Sequence, residues 1–220
     1  MNAPSASVGL SAVLREQTRD HHRMAEGRPL VRALLSGGVG RTTYAVLLRN
    51  LYAIYATMES AFDLVAGDDP ELASFAAPPL RRRAALETDL KAHHGLDWAE
   101  LPCMPASEAW TRRLQRLAAA DPTLLVAHAY VRYLGDLSGG KVVGSRVGRH
   151  LGLDGGAGLA FYRFPEVPDP TALKEMFRRG LDSLEARGRS ADMVAEARRA
   201  FDLNRRLFDQ IDARRDDFGD

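Results

Sequence analysis

The sequence lacks the features that mark several broad classes of protein. Its 220 residues include one cysteine, Cys103, which excludes an internal disulfide and suits a reducing compartment. No apolar run approaches the roughly 20 residues that cross a bilayer. The opening segment MNAPSASVGL lacks the charged start and apolar core of a signal peptide. We therefore expect a cytoplasmic protein that does not enter a membrane.

An excess of charge of one sign is also missing. The chain has 30 basic and 29 acidic residues, with a net charge of +1. This balance gives no general reason to expect nucleic acid or an anionic membrane as a partner. A chain of 220 residues, 45% of them hydrophobic, can bury one core but is short for two full domains. We predict one domain over 1–220, with 1–9 as a flexible N-terminus.

What the sequence does contain is helical periodicity over most of its length. Asp121-Pro122 and Asp169-Pro170 each place a capping residue before a proline, which is typical of a helix start. Ser190 is the predicted cap of the last helix, and Thr42 or Thr43 that of a long helix. The long helix has an apolar stripe made of Leu47, Leu51, Ile54, Tyr55, Met58 and Phe62. Shorter helical patterns cover 10–25, 29–36, 81–94 and 107–120, so we predict an all-α bundle of seven or eight helices.

Residues 135–141, GDLSGGK, fit the start of the phosphate-binding pattern G-x-x-x-x-G-K. That pattern requires a strand before it and Ser or Thr after it, so that the hydroxyl reaches magnesium. Here Val142 follows, and the preceding AHAYVRYL continues the helix that opens after Asp121-Pro122. The segment is therefore predicted to lie inside a helix and not to form a nucleotide-binding loop.

Glycines inside a helix need a reason, because each costs about 1 kcal/mol relative to alanine. Gly135 and Gly139 are four apart and share one face, which they strip of side chains. Such a face suits either close helix packing or a flat ligand, with the glycines allowing a kink. Asp136 lies beside this face, and Arg132 is one turn earlier. The pair is either a buried functional pair or a solvated ion pair.

A second candidate site lies in LREQTRDHHRMAEG, residues 14–27. His22 falls on one helical face with Leu10, Leu14, Thr18 and Ala25, whereas His21 points about 100° away. Such a histidine is either a satisfied core residue or a ligand. Arg15 and Arg19 share its side, and Glu26 can reach the ring nitrogen that a metal would leave free. A neutral imidazole with cations beside it suits an iron macrocycle that carries carboxylates.

Together, LREQTRDHHRMAE and AYVRYLGDLSGGK closely resemble the haem oxygenase family. GLAFYRFP at 158–165, LKEMFRRGLDSLE at 173–185 and AFDLNRRLF at 200–208 are similar to its later motifs, in the same order. The resemblance implies a single-domain, multi-helical bundle with a glycine-kinked distal helix. It also implies oxidative opening of haem to biliverdin, carbon monoxide and ferrous iron, with O2 and external electrons. Haem b, with its iron, would be both substrate and cofactor.

The resemblance also implies a role for each matching residue. His22 corresponds to the proximal iron ligand, and Asp136 to the carboxylate that organises distal water. Tyr55, Arg132 and Asn204 correspond to the hydrogen-bond network of that carboxylate. The remaining haem contacts would be Arg15, Arg19, Lys174 and Arg178 at the propionates, Tyr130 at the haem edge, Gly135 and Gly139 over the ring, and Phe201 and Phe208 in the wall. Because some members carry lysine in place of Arg15 and Arg19, the orientation of the haem in its plane stays open.

Other interpretations remain. A non-catalytic haem carrier or sensor could use the same fold, and a helical thiamin-degrading enzyme would require a nucleophile for which Cys103 is poorly placed. As an oxygenase, the protein would need an external electron donor, ferredoxin- or reductase-type, and could pass biliverdin to an acceptor such as a phytochrome. We interpret His93, His94 and His128 as surface or core residues, and 81–83 as a solvated helix face or a docking site for an acidic donor. No hydrophobic tail precedes Asp220, so we expect a soluble, bacterial-type member.

Overall fold

The computed structural model describes residues 9–153 and 156–219, and these fold into α-helices joined by short turns and 3-10 segments, without a β-strand. Ten α-helices are described: α1 (Leu10–Gln17), α2 (Arg19–Glu26), α3 (Pro29–Ser36), α4 (Arg41–Val65), α5 (Pro70–Ser74), α6 (Arg83–His94), α7 (Pro105–Ala120), α8 (Leu125–His150), α9 (Pro170–Leu184) and α10 (Ser190–Asp212). The predicted all-α class is confirmed. The predicted flexible segment lies, apart from Gly9, outside the described residues.

Two features raise the helix number above the predicted seven or eight. The pattern over 10–25 divides at Thr18, whose ψ of 2° interrupts the helix between α1 and α2. The Thr18 hydroxyl donates to the carbonyl oxygen of Leu14 at 2.7 Å, which ties the junction to the last turn of α1. The short helix α5 was not predicted. Its cap is Asp69, whose carboxylate accepts a hydrogen bond from the amide of Leu72 at 3.1 Å.

The predicted helix starts are correct in part. Asp169 caps α9 by accepting from the amides of Thr171 and Ala172 at 2.8 and 3.1 Å. Asp121 makes no such cap, because its carboxylate pairs with Arg189 and a 3-10 turn precedes α8. Ser190 is the first residue of α10 and not its cap. Likewise α4 begins at Arg41, with Gly40 as its cap residue in place of Thr42 or Thr43.

The core is built around α4, which packs against α6, α7 and α8. All six residues of its predicted apolar stripe are buried, and full burial of such side chains contributes about 1.5–3 kcal/mol each. On the other side of the bundle, α10 packs against α2, α3, α7 and α8. Helix α8 contains the whole of GDLSGGK, as predicted, so that segment has no strand before it. Within the described part of the chain, no helix is long and apolar enough to cross a membrane.

The arginine run at 81–83 differs from its prediction. Helix α6 begins only at Arg83, so the two preceding arginines lie in the turn before it. Arg82 is 5% exposed, donates to the carbonyl oxygens of Leu80 and Pro79, and packs its guanidinium 3.9 Å from the Phe164 ring centroid. The interpretation as a solvated helix face is therefore wrong for Arg82, because its donors are used to hold the turn together.

Candidate active site

The polar centre of the site is a buried network around Arg132. Its guanidinium donates from Nη2 to Asp136 Oδ1 at 3.1 Å, from Nη1 to Asn204 Oδ1 at 2.9 Å and from Nε to the Tyr55 hydroxyl oxygen at 3.3 Å. The Tyr55 hydroxyl in turn donates to Asp136 Oδ2. The side chains of Arg132 and Asp136 are 8% and 11% exposed, so the solvated ion pair is the wrong interpretation. Helices α4, α8 and α10 thus converge on one carboxyl group.

Burial sets the electrostatics of this network. It raises the pKa of the Asp136 carboxyl well above its usual range, because the charged form loses its water. The same effect lowers the pKa of Arg132 to about 10, which leaves the guanidinium charged at neutral pH. Asp136 therefore has both of its oxygens held by donors and an increased affinity for a proton, which suits a group that delivers protons.

The glycines of α8 have two different environments. A Cβ added at Gly135 or Gly139 would meet no atom within 4 Å outside its own stretch of helix, so this face borders open space. Close helix packing is therefore the wrong explanation for these two. At Gly140 and Gly144, by contrast, an added Cβ would lie 3.2 and 2.8 Å from Tyr162. The helix is continuous from Leu125 to His150, and the predicted kink stays a prediction.

His22 lies on α2 with its ring half exposed, at 51%. Its Nδ1 is 3.3 Å from Glu26 Oε2, and its ring packs edge-on against Phe201 with the centroids 5.8 Å apart. Since Nδ1 faces Glu26, the other ring nitrogen, Nε2, is left for a ligand. His21 differs, because its Nδ1 is buried without a hydrogen-bond partner in the described residues.

Tyr130 connects the basic residues of two helices. Burial raises the pKa of its hydroxyl, and a hydrogen bond with Thr18 and the charges of Arg15 and Arg178 act in the opposite direction. These two arginines lie on α1 and α9, and the packing of α1 on α9 is fixed where Asp182 accepts from the Ser11 amide at 2.7 Å. The structure therefore brings Arg15 and Arg178 to one place, beside Tyr130.

The other predicted haem-contact residues make fewer contacts with Tyr130 and with the network around Arg132. Arg19 pairs with Glu16 on the surface. Among the described residues, Arg15, Lys174 and Arg178 have no ion-pair partner at all, which leaves three cations available for an anion. Phe201 is 6% exposed, and Phe208 is partly buried against the core.

One tyrosine that packs on α8, Tyr162, was not predicted from the sequence. Burial is the main cause that raises the pKa of its hydroxyl, and the charge of Asp136 acts in the same direction. The signal was present in the spacing, because Gly140 and Gly144 continue the row of Arg132 and Asp136 at intervals of four. A row of bare positions inside a helix can accommodate a bulky neighbour, and the aromatic pair in GLAFYRFP could have supplied it.

His128 belongs to a buried network next to the site. The Trp110 indole Nε1 donates to His128 Nδ1 at 2.8 Å, so the imidazole proton is on Nε2, which lies 3.0 Å from Glu196 Oε1. Burial alone would raise the pKa of Glu196, but hydrogen bonds from His128 and Arg113 outweigh it and lower that pKa to about 2. Because His128 is fully buried, the interpretation as a core histidine is confirmed.

Comparison with known proteins places this geometry in context. The family model described as "Heme oxygenase" matches residues 8–210. The "Heme oxygenase 1" of Nostoc is 35% identical over 208 residues, which cover 94% of this chain and 87% of that protein. The human "Heme oxygenase 1" is 37% identical over 206 residues, covering 92% and 71%.

Solved structures give the same result. Heme oxygenase-1 from Synechocystis in complex with heme superposes with a TM-score of 0.87 at 35% identity, covering 96% of this chain and 95% of that one. Heme oxygenase-2 from Synechocystis in complex with heme and NO gives a TM-score of 0.88 at 34% identity, covering 96% and 88%. The similarity therefore extends over the described helices and is not limited to the short motifs.

Proposed function

The chain belongs to the haem oxygenase family, and from that premise we propose that it opens haem to biliverdin, carbon monoxide and ferrous iron, using O2 and external electrons. One observation on this chain's own residues supports the proposed activity. The bare face of Gly135 and Gly139 borders open space, and directly beside it lies Asp136, a buried carboxyl with a raised pKa. A carrier would have use for the open face but not for the proton donor.

The residues present fit a haem group. Bare backbone at Gly135 and Gly139 leaves room for a flat macrocycle. His22 offers a neutral imidazole as iron ligand, and Glu26 would hold its other nitrogen and so orient the ring. Arg15, Arg19, Lys174 and Arg178 would bind the propionates; three of them have no ion-pair partner among the described residues, and Arg19 pairs with Glu16 on the surface. Tyr130, Phe201 and Phe208 would complete the wall.

When bound, haem supplies the porphyrin edge that is oxidised and the iron at which dioxygen is reduced. Asp136 would deliver protons through water, because its carboxyl binds a proton more strongly than an ordinary aspartate does. Tyr55 and Arg132 each hold one of its oxygens, and Asn204 fixes the guanidinium of Arg132. The four residues together would keep the proton donor in one orientation.

The reaction also requires partners. Reduction of dioxygen consumes electrons, so we propose an external donor of the ferredoxin or reductase type. Biliverdin would leave the site, and its proposed recipient is a biliverdin-accepting protein such as a phytochrome. A cytoplasmic location, expected from the single cysteine and the ordinary composition, stays a prediction.

Reduction of the haem complex separates the enzyme from the carrier. Purified protein is mixed with haemin, ascorbate is added in air, and the visible spectrum and the products are followed. An oxygenase loses the Soret band and forms biliverdin, which chromatography identifies together with its isomer. A stable ferrous spectrum without biliverdin would reject the proposed function in favour of a carrier or sensor.

The iron ligand is tested with a matched pair of variants. His22→Ala should change the ferric haem spectrum and lose activity, and added imidazole should restore part of both by replacing the missing ring. His21→Ala is the control, since it removes a neighbouring imidazole from the same helix and should behave like the parent. If the two variants exchange behaviours, His21 is the ligand.

A further inference from the structure

Helix α2, which carries His22, is short and is separated from its neighbours at both ends. Its eight residues, Arg19–Glu26, follow the break at Thr18 and are followed by Gly27. A helix of this length is marginal by itself, so most of its stability must come from contacts with the rest of the protein. It packs mainly against α10. The direction of the His22 ring therefore depends on how α2 is fixed on α10.

Arg198 of α10 fixes the N-terminal end of α2. Its Nε donates to the carbonyl oxygen of Gln17 at 3.0 Å, and its Nη2 donates to the side-chain oxygen Oε1 of the same residue at 2.6 Å. Gln17 is the last residue of α1, and the carbonyl groups at a helix end need donors from outside the helix. The next carbonyl group, that of Thr18, accepts from the amide of His22 at 2.9 Å. Arg198 thus fixes the residue directly before the one that holds the His22 amide.

A second contact lies at the other end of α2. Arg28, which follows Gly27, donates from Nη1 to Asp209 Oδ2 at 3.4 Å. Both contacts join residues that are 181 positions apart, so α2 and α10 run in the same direction. Between the two ends, the His22 ring packs edge-on against Phe201. The turn that carries His22 therefore lies between two contacts with α10 and against one of its aromatic rings.

The two ends are not held equally. The contact of Arg28 is long for a hydrogen bond, whereas the guanidinium of Arg198 makes two hydrogen bonds of ordinary length to one residue. We propose that Arg198 is a positioning residue for His22, which fixes the start of α2 on α10 and so keeps the imidazole in one orientation. This inference rests on the proposed function only where it takes His22 as the iron ligand.

The first measurement is made without haem. Hydrogen exchange of the amides in 18–28 is followed by mass spectrometry in the parent, Arg198→Ala and Arg206→Ala. Arg198→Ala should increase exchange in this segment about threefold to tenfold, because the loss of two hydrogen bonds makes local opening easier. Arg206→Ala is the matched control, since Arg206 is exposed on the same helix and makes no hydrogen bond or ion pair with the described residues. Equal exchange in the two variants would overturn the inference.

The second measurement determines whether Arg198 acts through His22. Proteins loaded with haemin are mixed with an excess of apomyoglobin, and the rate of haem loss is read from the Soret band. Arg198→Ala should lose haem about threefold to tenfold faster than the parent. The same substitution in a His22→Ala background should have no further effect, because the ring that Arg198 positions is then absent. Arg198→Lys can still donate to the Gln17 carbonyl oxygen but lacks the fork of donors, so it should recover part of the difference.

A merely structural role gives a different result. An Arg198→Ala effect of equal size with and without His22 would overturn the inference, because Arg198 would then act on the fold or on another haem contact. Should Arg198→Ala fold poorly, Gln17→Ala provides the same two comparisons with smaller effects, since it removes only the side-chain acceptor. A parent protein that binds haem but forms no biliverdin would reject the proposed function and leave both measurements valid.

Discussion

Two rows of residues on α8 both contain a pair of glycines, and the two pairs differ in their surroundings. The packed row runs at intervals of four through His128, Arg132, Asp136, Gly140 and Gly144, and it lies against other helices and Tyr162. The open row is Gly135 and Gly139, which border empty space. In both rows a glycine costs about 1 kcal/mol of helix stability relative to alanine. Packing of an aromatic ring offsets that cost in one row, and in the other row no contact with another described part of the chain does.

This difference in surroundings assigns different functions to the two rows of α8. The packed row orients the proton donor, because its polar members bond to Tyr55, Asn204 and Glu196 on neighbouring helices. The open row leaves space for the substrate. A change in the packed row should therefore affect the fold or the chemistry, whereas a change in the open row should affect binding. The following predictions test that division.

The largest effect is expected at Asp136. Asp136→Ala should lower biliverdin formation about a hundredfold to a thousandfold, because a positioned acid or base contributes about that much. Haem affinity should change little, since His22 and the propionate contacts remain. Rates of biliverdin formation and haem titrations provide the measurements.

Asp136→Asn is the matched control, because its amide can still accept from Tyr55 or Arg132 but cannot carry the proton. It should therefore keep the structure of the network and retain more activity than Asp136→Ala. Biliverdin formation at the parent rate in Asp136→Ala would reduce Asp136 to a structural partner of Arg132.

His128 is the first residue of the packed row, and a change at its partner Glu196 should affect the stability of the fold. The pKa of Glu196 is lowered to about 2, so its contribution is fully present above its ordinary value and is lost as pH falls towards 2. Glu196→Gln should lower the free energy of unfolding at pH 7 by about 3 kcal/mol. Urea denaturation of the haem-free protein at a series of pH values tests this.

The dependence of the free energy of unfolding on pH below about 4.5 distinguishes a lost charge at Glu196 from a packing defect. The parent should lose stability between about pH 4.5 and 2, and Glu196→Gln should lack that part of the loss. Glu26→Gln is a control, because Glu26 is 67% exposed and carries little of the fold. Equal slopes in parent and Glu196→Gln would mean that the charge of Glu196 does not support the packed row.

Periodicity was sufficient to predict the helices but not the contacts at their ends. The long apolar stripe of α4 and the helix through GDLSGGK were predicted because many positions repeat the same signal. The predicted cap at Asp121 is absent, because its carboxylate pairs with Arg189, which is distant in sequence. Arg82 was misread for the same reason, since carbonyl groups of the turn before α6 and the ring of Phe164 bury it.

The sequence predicted which residues form the candidate site better than it predicted how they are arranged in space. Spacing placed Arg132 and Asp136 together, and the resemblance to the family added Tyr55 and Asn204. What spacing could not decide was whether the glycines pack or face a ligand, because both explanations require the same residue. Only the neighbours answer that, and they do so differently for Gly144 and Gly139.

A bulky residue in the packed row should destabilise the protein. An added Cβ at Gly144 already lies 2.8 Å from Tyr162, and Gly144→Leu adds three more carbon atoms there. Overpacking of this kind should lower the free energy of unfolding by about 2 kcal/mol, measured by urea denaturation without haem. The matched control is Gly139→Leu, which places the same side chain in open space and should not destabilise the haem-free protein. Equal losses in both variants would remove the distinction between the rows.

The smallest change gives the sharpest comparison, because its two effects have opposite signs. Gly139→Ala should raise the free energy of unfolding of the haem-free protein by about 0.5–1 kcal/mol, since alanine is the better helix former and its methyl group meets nothing within 4 Å. The same methyl group should weaken haem binding, measured by titration, because it occupies space that the macrocycle would use. Gly140→Ala is the control: its methyl group would be 3.2 Å from Tyr162, so the gain in stability should be reduced or lost. Gly139→Ala with increased stability and unchanged haem affinity would show that the open row is not the haem surface, and decreased stability would show that the row is covered.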